Sequence, residues 1–197
     1  PAEEVGVIDV TSVLDYGTAE AAGTGVVLTS VGEVLTNNHV IDGATKITAT
    51  DVAAGRSYAA TVVGTDPTDD VAVLRLSGAS GLATARLATD TKVAVGDAVT
   101  AVGNAAGKGG TPTAATGRVV GLGRDITASD ENGTGAERLS GLIQVDAAVQ
   151  AGDSGGPLYA GGAAIGIDTA ASTSGRGRVA TTAATKGSTG FAIPIAT

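Results

Sequence analysis

The strongest constraint on this chain is the spacing of its short apolar runs. "GTGVVLTS", "EVLTNNHVI", "TKITATDV", "YAATVVGTD" and "DVAVLRLSG" follow one another at intervals of about ten residues, each bounded by Gly, Asp, Asn, Ser or Thr. A second series follows: "DAVTAVGN", "TGRVVGLG", "GLIQVDAAV", "GPLYAGGAAIGIDTA" and "GFAIPI". No stretch keeps a 3.6-residue apolar stripe over three turns. The best helix candidate is the N-terminal "AEEVGVIDVTSVLDY". The pattern predicts an all-β chain. Aromatics make up only 2% of it, so the core must be built from Val, Ile, Leu and Ala.

The 197 residues allow one or two compact units. "SGASGLATARLATDT" reads as a connector between two strand sets, giving two β-barrels over residues 1–80 and 93–197 with 81–92 between them. Asn132-Gly133 within "SDENGTG" predicts a hairpin tip, and Asn132 also begins a glycosylation sequon. Residues 172–190 read as one long Gly/Ser/Thr loop.

The net charge is −8, with −7 carried by residues 1–92 and −1 by the rest. Such acidity argues against a nucleic-acid partner and fits solubility. The absence of cysteine excludes disulfides, thiol chemistry and Cys-based zinc sites. No apolar run is long enough to span a bilayer as a helix. With no signal peptide and no methionine, the chain reads as a processed product or an excised fragment.

One stretch carries chemistry. "QAGDSGGPL", Gln150 to Leu158, crowds three glycines around Ser154. Gly152-x-Ser154-x-Gly156 matches the nucleophile elbow of α/β-hydrolases, and Gly-Asp-Ser-Gly-Gly-Pro matches trypsin-like proteases. The only histidine, His39 in "VLTNNHVI", precedes Ser154. An α/β-hydrolase needs its histidine after the serine, so that reading is excluded. The orders His-Asp-Ser and Asp-His-Ser both remain, the second with Asp9 or Asp15 as the acid. An all-β chain selects the first.

"TNNHVI", "DVAVL", "AVGNAAG", "GDSGGPL", "IGIDTAA" and "GFAIPI" stand in order across residues 36–195. Together they resemble the HtrA/Deg branch of the trypsin-like serine proteases, of the bacterial secreted type. The resemblance implies two six-stranded antiparallel barrels of the chymotrypsin type with the active site between them. It implies a serine endopeptidase of protein quality control or secreted proteolysis, exported, acting on polypeptides, with no cofactor and no metal. A PDZ domain usually follows the last strand in this family; the chain stops there, so that domain is expected to be absent or removed. Family members commonly trimerise through N-terminal aromatics. This chain has only Tyr16 there, which leaves a homo-oligomer open.

By this resemblance His39 is the general base, a role imidazole suits near neutral pH. Asp70, directly before "VAVLRL", is the acid that orients it. Asp66 and Asp69 compete but read as turn residues around Pro67. Ser154 is the nucleophile, and the backbone N–H groups of Gly152 and Ser154 form the oxyanion hole. Asp153, where many HtrA proteins carry Asn, is expected to anchor the loop locally. Trypsins pair that aspartate with a newly cut N-terminus, which Pro1 and the acids after it do not resemble.

Ala148 is expected at the base of the S1 pocket, where trypsin has an aspartate. Thr169, Ala170 and Ala171 should line its wall and pair with substrate backbone. That implies a small or medium apolar P1 residue. Asp168, often Asn in relatives, is expected to be hydrogen-bonded and structural. "GNAAGKGGT" faintly resembles a phosphate loop but lacks one residue and the final Ser or Thr; its family counterpart lies beside the active site. The alternative function is a binding or chaperone-like module whose protease domain rests inactive until an activator or PDZ domain acts.

Overall fold

Runs rich in Val, Ile and Thr form strands wherever neighbouring strands cover them. The computed structural model describes residues 5–14, 17, 19–90, 92–129, 136–172 and 189–195. The first six strands are β1 (Val7–Leu14), β2 (Ala19–Val27), β3 (Glu33–Thr36), β4 (Ala44–Asp51), β5 (Arg56–Asp66) and β6 (Val71–Leu76). They close into an antiparallel barrel in the order β1-β2-β3-β6-β5-β4. A single helical turn, α1 (Asn38–Ile41), interrupts the chain after β3.

The second six are β7 (Ala98–Gly103), β8 (Thr113–Ser129), β9 (Ala136–Val145), β10 (Pro157–Ala160), β11 (Ala163–Ser172) and β12 (Thr189–Pro194). Their order is β10-β11-β12-β9-β8-β7, and β7 returns to β10 through Leu158↔Ala101 and Tyr159↔Thr100. The β8–β9 hairpin pairs as far as Ser129↔Ala136; its expected tip, with Asn132, lies outside the described residues. The loop expected at 172–190 is shorter at both ends, because Ser172 pairs with Thr189 and Ala171 with Gly190. Residues 173–188 lie outside the described residues.

The N-terminal helix expectation is overturned. Residues Val7–Leu14 form a strand with partners on both edges, Asp9 pairing with Thr24 on one side and Thr50 on the other. Its two faces explain why. Ile8 and Val10 enter the first core, while Val7 joins Val102, Tyr159 and Ala164 of the second set. A helix would present one apolar stripe; this segment needs two opposite faces, and only a strand alternates them. Tertiary burial outweighs local propensity here.

The connector divides its contacts in the same way. Leu82 belongs to the first core and Ala88 to the second. Leu87 bridges to Ala164, and the Ala88 N–H donates to the Ala164 carbonyl at 2.9 Å. The second core centres on Val119, Val145 and Leu158. The one phenylalanine, Phe191, is buried with Ile126, Leu139 and Leu142.

Leu74 is 0% exposed at the centre of the first core, whereas Leu122 is 40% exposed. Truncating Leu74 to Ala should cost about 2–5 kcal/mol of stability, from lost transfer energy and a residual cavity. Leu122→Ala should cost less than about 1 kcal/mol. Urea denaturation of both variants checks this ordering.

Candidate active site

His39 lies in the one-turn helix α1, held by the buried side chains of Val40 and Ile41. Its Nδ1 lies 2.8 Å from Asp70 Oδ2, and its backbone N–H donates to Asp70 Oδ1 at 2.9 Å. Asp70 precedes β6 with φ +53°, a left-handed conformation that aspartate tolerates better than most residues. The buried Asn37 side chain donates to the Asp70 carbonyl at 2.9 Å, which fixes that backbone. Thr169 Oγ1 makes a short hydrogen bond to Asp70 Oδ2 from the second set. Asp70 is 0% exposed, while the His39 side chain is 41% exposed. The imidazole therefore has one edge clamped by a buried acid and the remainder reachable from solvent.

Ser154 stands in a tight turn that precedes β10. Asp153 N–H donates to the Gln150 carbonyl at 3.0 Å, and Gly156 N–H to the Asp153 carbonyl at 2.8 Å. Gly155 N–H donates to the Asp168 carbonyl at 2.7 Å. Asp153 Oδ2 accepts the Gln150 N–H at 2.8 Å, which supplies the partner that the expected loop anchor lacked. The N–H groups of Gly152 and Ser154 make no hydrogen bond among the described residues. The turn thus leaves two amides free and commits the one between them.

The glycine crowding has a steric cause. Gly152 has φ +93°, and a Cβ there would overlap the Asn104 carbonyl and come within 2.6 Å of Gly107 N. Gly155 has φ +84°, and its Cβ would overlap the Thr24 carbonyl and Thr36 Oγ1. Backbone from both six-stranded sets closes on this turn, leaving no room for side chains.

Ser154 Oγ lies 3.5 Å from the Thr169 carbonyl and makes no hydrogen bond to His39. His39, Asp70, Thr169 and Ser154 are nonetheless linked residue to residue. Thr169 was expected only as pocket wall; its hydroxyl is a partner of Asp70, a role that no sequence pattern announced. Ala148 is exposed in the strand-free stretch 146–150. Ala170 and Ala171 pair with Phe191 and Gly190. A Cβ on Gly190 would press on Val149 at 2.5 Å, so this edge of β12 is also close to the 146–150 stretch. The loop after β7, the rejected phosphate-loop candidate, packs directly on Gly152. Asp66 accepts the N–H groups of Thr68 and Asp69, the turn role expected of it. Among the described residues no group of three or more His, Asp or Glu gathers at metal-binding distance.

One expectation fails. The Asp168 side chain is not hydrogen-bonded: the residue is 0% exposed and, among the described residues, neither carboxyl oxygen has a partner. Burial, reinforced by the negative charge of Asp153, holds its pKa well above the usual carboxylate value. Asp153 has one partnerless oxygen, and burial raises its pKa too, against the opposing Gln150 amide. Burial pushes Asp9 up to about 6, with the Gly110 amide acting in the other direction. Among the described residues no cation pairs with Asp168, and burial disfavours its charged form.

The sequence profile of the trypsin-like peptidase domain matches residues 23–167. The chain is 37% identical over 193 residues to the serine protease PepD of Mycobacterium tuberculosis, covering 92% of this chain and 40% of PepD. It is 40% identical over 177 residues to DegQ of Escherichia coli, named a periplasmic pH-dependent serine endoprotease, covering 89% of this chain and 35% of DegQ. The chain therefore spans well under half the length of these relatives. The solved structure of the HtrA-type protease AlgW with a tripeptide superposes with a TM-score of 0.79 at 32% identity, over 98% of this chain and 57% of that one.

The raised Asp168 pKa has a definite sign. The folded state holds that proton more tightly than the unfolded chain, so the associated stability is complete below the ordinary value of 3.8. It is lost as pH climbs towards the folded value. Asp168→Asn cannot titrate. Its stability relative to wild type should therefore improve as pH rises above 5, by up to about 1.4 kcal/mol per pH unit. Urea melts at pH 5, 6 and 7 measure this; an offset independent of pH would show that Asp168 is not the titrating group.

Proposed function

Because this chain belongs to the trypsin-like peptidase family, in its HtrA/Deg branch, we propose that it is a serine endopeptidase working through His39, Asp70 and Ser154. The observation that carries the reading is the buried Asp70 carboxylate on His39 Nδ1, in the same seam as a turn with two uncommitted amides. Asp70 holds the imidazole in the tautomer with its proton on Nδ1, which leaves Nε2 free to accept. Ser154 Oγ attacks the scissile carbonyl carbon while His39 Nε2 takes its proton. The carbonyl oxygen becomes an oxyanion, received by the N–H groups of Gly152 and Ser154. Collapse of the tetrahedral species breaks the C–N bond, and His39 returns the proton to the leaving amine. Water, deprotonated by His39, then hydrolyses the acyl-enzyme and regenerates Ser154. Each oxyanion donor contributes about 2.7–4 kcal/mol to the barrier reduction.

In this reading residues 1–80 and 93–197 are two barrels of the chymotrypsin type, joined by 81–92, with substrate bound in the seam between them. Substrates are polypeptides, entering as an added strand along Thr169, Ala170 and Ala171. The periplasmic DegQ relative supports an exported location.

Ser154→Ala tests the nucleophile. It should lower kcat on casein by on the order of a million-fold and abolish labelling by a fluorophosphonate probe, with circular dichroism unchanged. Rapid labelling of wild type and none of the variant supports the enzyme. A folded wild type that stays unlabelled would point instead to a resting binding module.

The pocket gives a second expectation. Ala148 offers no carboxylate to a basic P1 group, and Asp168 is 0% exposed, so its carboxyl does not face an open pocket. Peptides with Val, Ala or Leu at P1 should be cut well before matched peptides with Arg or Lys, since burying an unpaired cation costs several kcal/mol. Asp168→Asn should keep the same order. A wild-type preference for Arg that disappears in the variant would make Asp168 a pocket residue.

A further inference from the structure

Thr24 has every polar atom committed at the seam. It lies in β2, 0% exposed, across from Asp9. Its Oγ1 donates to the Gly152 carbonyl at 2.7 Å and accepts the Asn104 N–H at 2.9 Å. Its own N–H donates to the Ser154 carbonyl at 2.8 Å, and its carbonyl accepts Thr36 Oγ1 at 2.7 Å. One hydroxyl therefore joins the first barrel to two separate segments of the second set: the loop that starts at Asn104 and the turn that carries Ser154.

That loop determines how the next peptide is turned. Asn104 Oδ1 accepts the Gly109 N–H at 2.7 Å and its carbonyl accepts the Gly107 N–H at 2.8 Å, which closes the loop on itself. Ala106 N–H then donates to the Ala151 carbonyl at 2.6 Å. In a trans peptide C=O and N–H point in opposite directions. Holding the Ala151 carbonyl against the loop thus turns the Gly152 N–H away from it. The following peptide is held by its own carbonyl on Thr24 Oγ1. Thr24 anchors both the loop that grips residue 151 and the peptide after residue 152.

We propose that Thr24 is a positioning residue for the oxyanion hole, its hydroxyl fixing the rotation of the Gly152 amide; the inference rests on the endopeptidase reading above. The atom must donate and accept at once. Serine can do so, whereas valine, of nearly the same shape, can do neither. Without the hydroxyl the Gly152 carbonyl and the Asn104 N–H lose their shared partner, and loop and turn are uncoupled. The oxyanion exists only in the transition state, so the loss should fall on kcat and not on KM.

The test compares Thr24→Val and Thr24→Ser with wild type on one chromogenic peptide, with Ser154→Ala as the control. Thr24→Val should lose about 100-fold in kcat, the scale of one missing oxyanion donor, with KM within about threefold and its circular dichroism intact. Thr24→Ser should stay within about threefold of wild type in both constants. The proposal is overturned if Thr24→Val keeps wild-type kcat, if its loss lies in KM, or if Thr24→Ser is as impaired as Thr24→Val. Should Thr24→Val fail to fold, Thr24→Ala takes its place. If neither folds while Thr24→Ser is normal, the hydroxyl serves the fold and not the hole, which also overturns it. Cleavage retained by Ser154→Ala sinks the endopeptidase reading itself, and this proposal with it; with Ser154→Ala inactive, a Thr24 failure stands alone.

Discussion

Everything at the seam depends on a carboxylate taken entirely out of water. Asp70 is 0% exposed, and an isolated ion in that position would be costly by many kcal/mol. It survives because three donors reach it: the His39 N–H, His39 Nδ1 and Thr169 Oγ1. Two come from the first barrel and one from the second set, so neither half can satisfy it alone. The requirement to satisfy one acid therefore ties the two six-stranded sets together at this point, beside the Thr24 hydrogen bonds and the packing of Val7. The same contact sets the ring orientation of His39, so packing and proposed chemistry rest on a single pair of oxygens.

The other buried acids follow a different course. Asp168 and Asp153 lie near each other with three partnerless oxygens between them, and no described cation approaches. Burial disfavours their charged forms and raises both pKa values, that of Asp168 further because the Asp153 charge adds to the effect. Asp70 is solvated by the protein on both oxygens, Asp153 on one through the Gln150 amide, and Asp168 on neither among the described residues. The contrast explains how one small region can hold three aspartates without three salt bridges.

Much of this was legible in the chain. Strand spacing named the all-β architecture, because turn residues and β-branched runs act locally. One histidine before one GDSGG turn excluded the α/β-hydrolase order with no structural knowledge. The failures have a common cause in contacts between distant segments. Residues Val7–Leu14 stood inside the best helix candidate of an otherwise all-β chain because nothing local shows that β2, β4 and the second set cover both faces. Thr24, Asn37 and the Thr169 hydroxyl were missed because small polar residues in strands are common, and only their distant partners distinguish them. Asp168 was read as hydrogen-bonded because burial without a partner cannot be seen in a sequence.

The strands supply rigidity, but His39, Asp70, Ser154 and Thr169 each occupy a place where the ladder is broken. His39 stands in a single helical turn after β3, and Asp70 takes a left-handed conformation just before β6. Ser154 lies in the turn before β10. Thr169 falls at a register shift in β11, between Asp168↔Ala192 and Ala170↔Phe191. A bulge leaves one residue unpaired and re-aims its side chain. Here it lets Asp168 stay enclosed while Thr169, its immediate neighbour, sends a hydroxyl across the seam to Asp70. An unbroken strand could direct these side chains only to its two faces, at fixed intervals. The irregularities are what allow four segments, far apart in sequence, to converge, and the closed ladder around them keeps that convergence from relaxing.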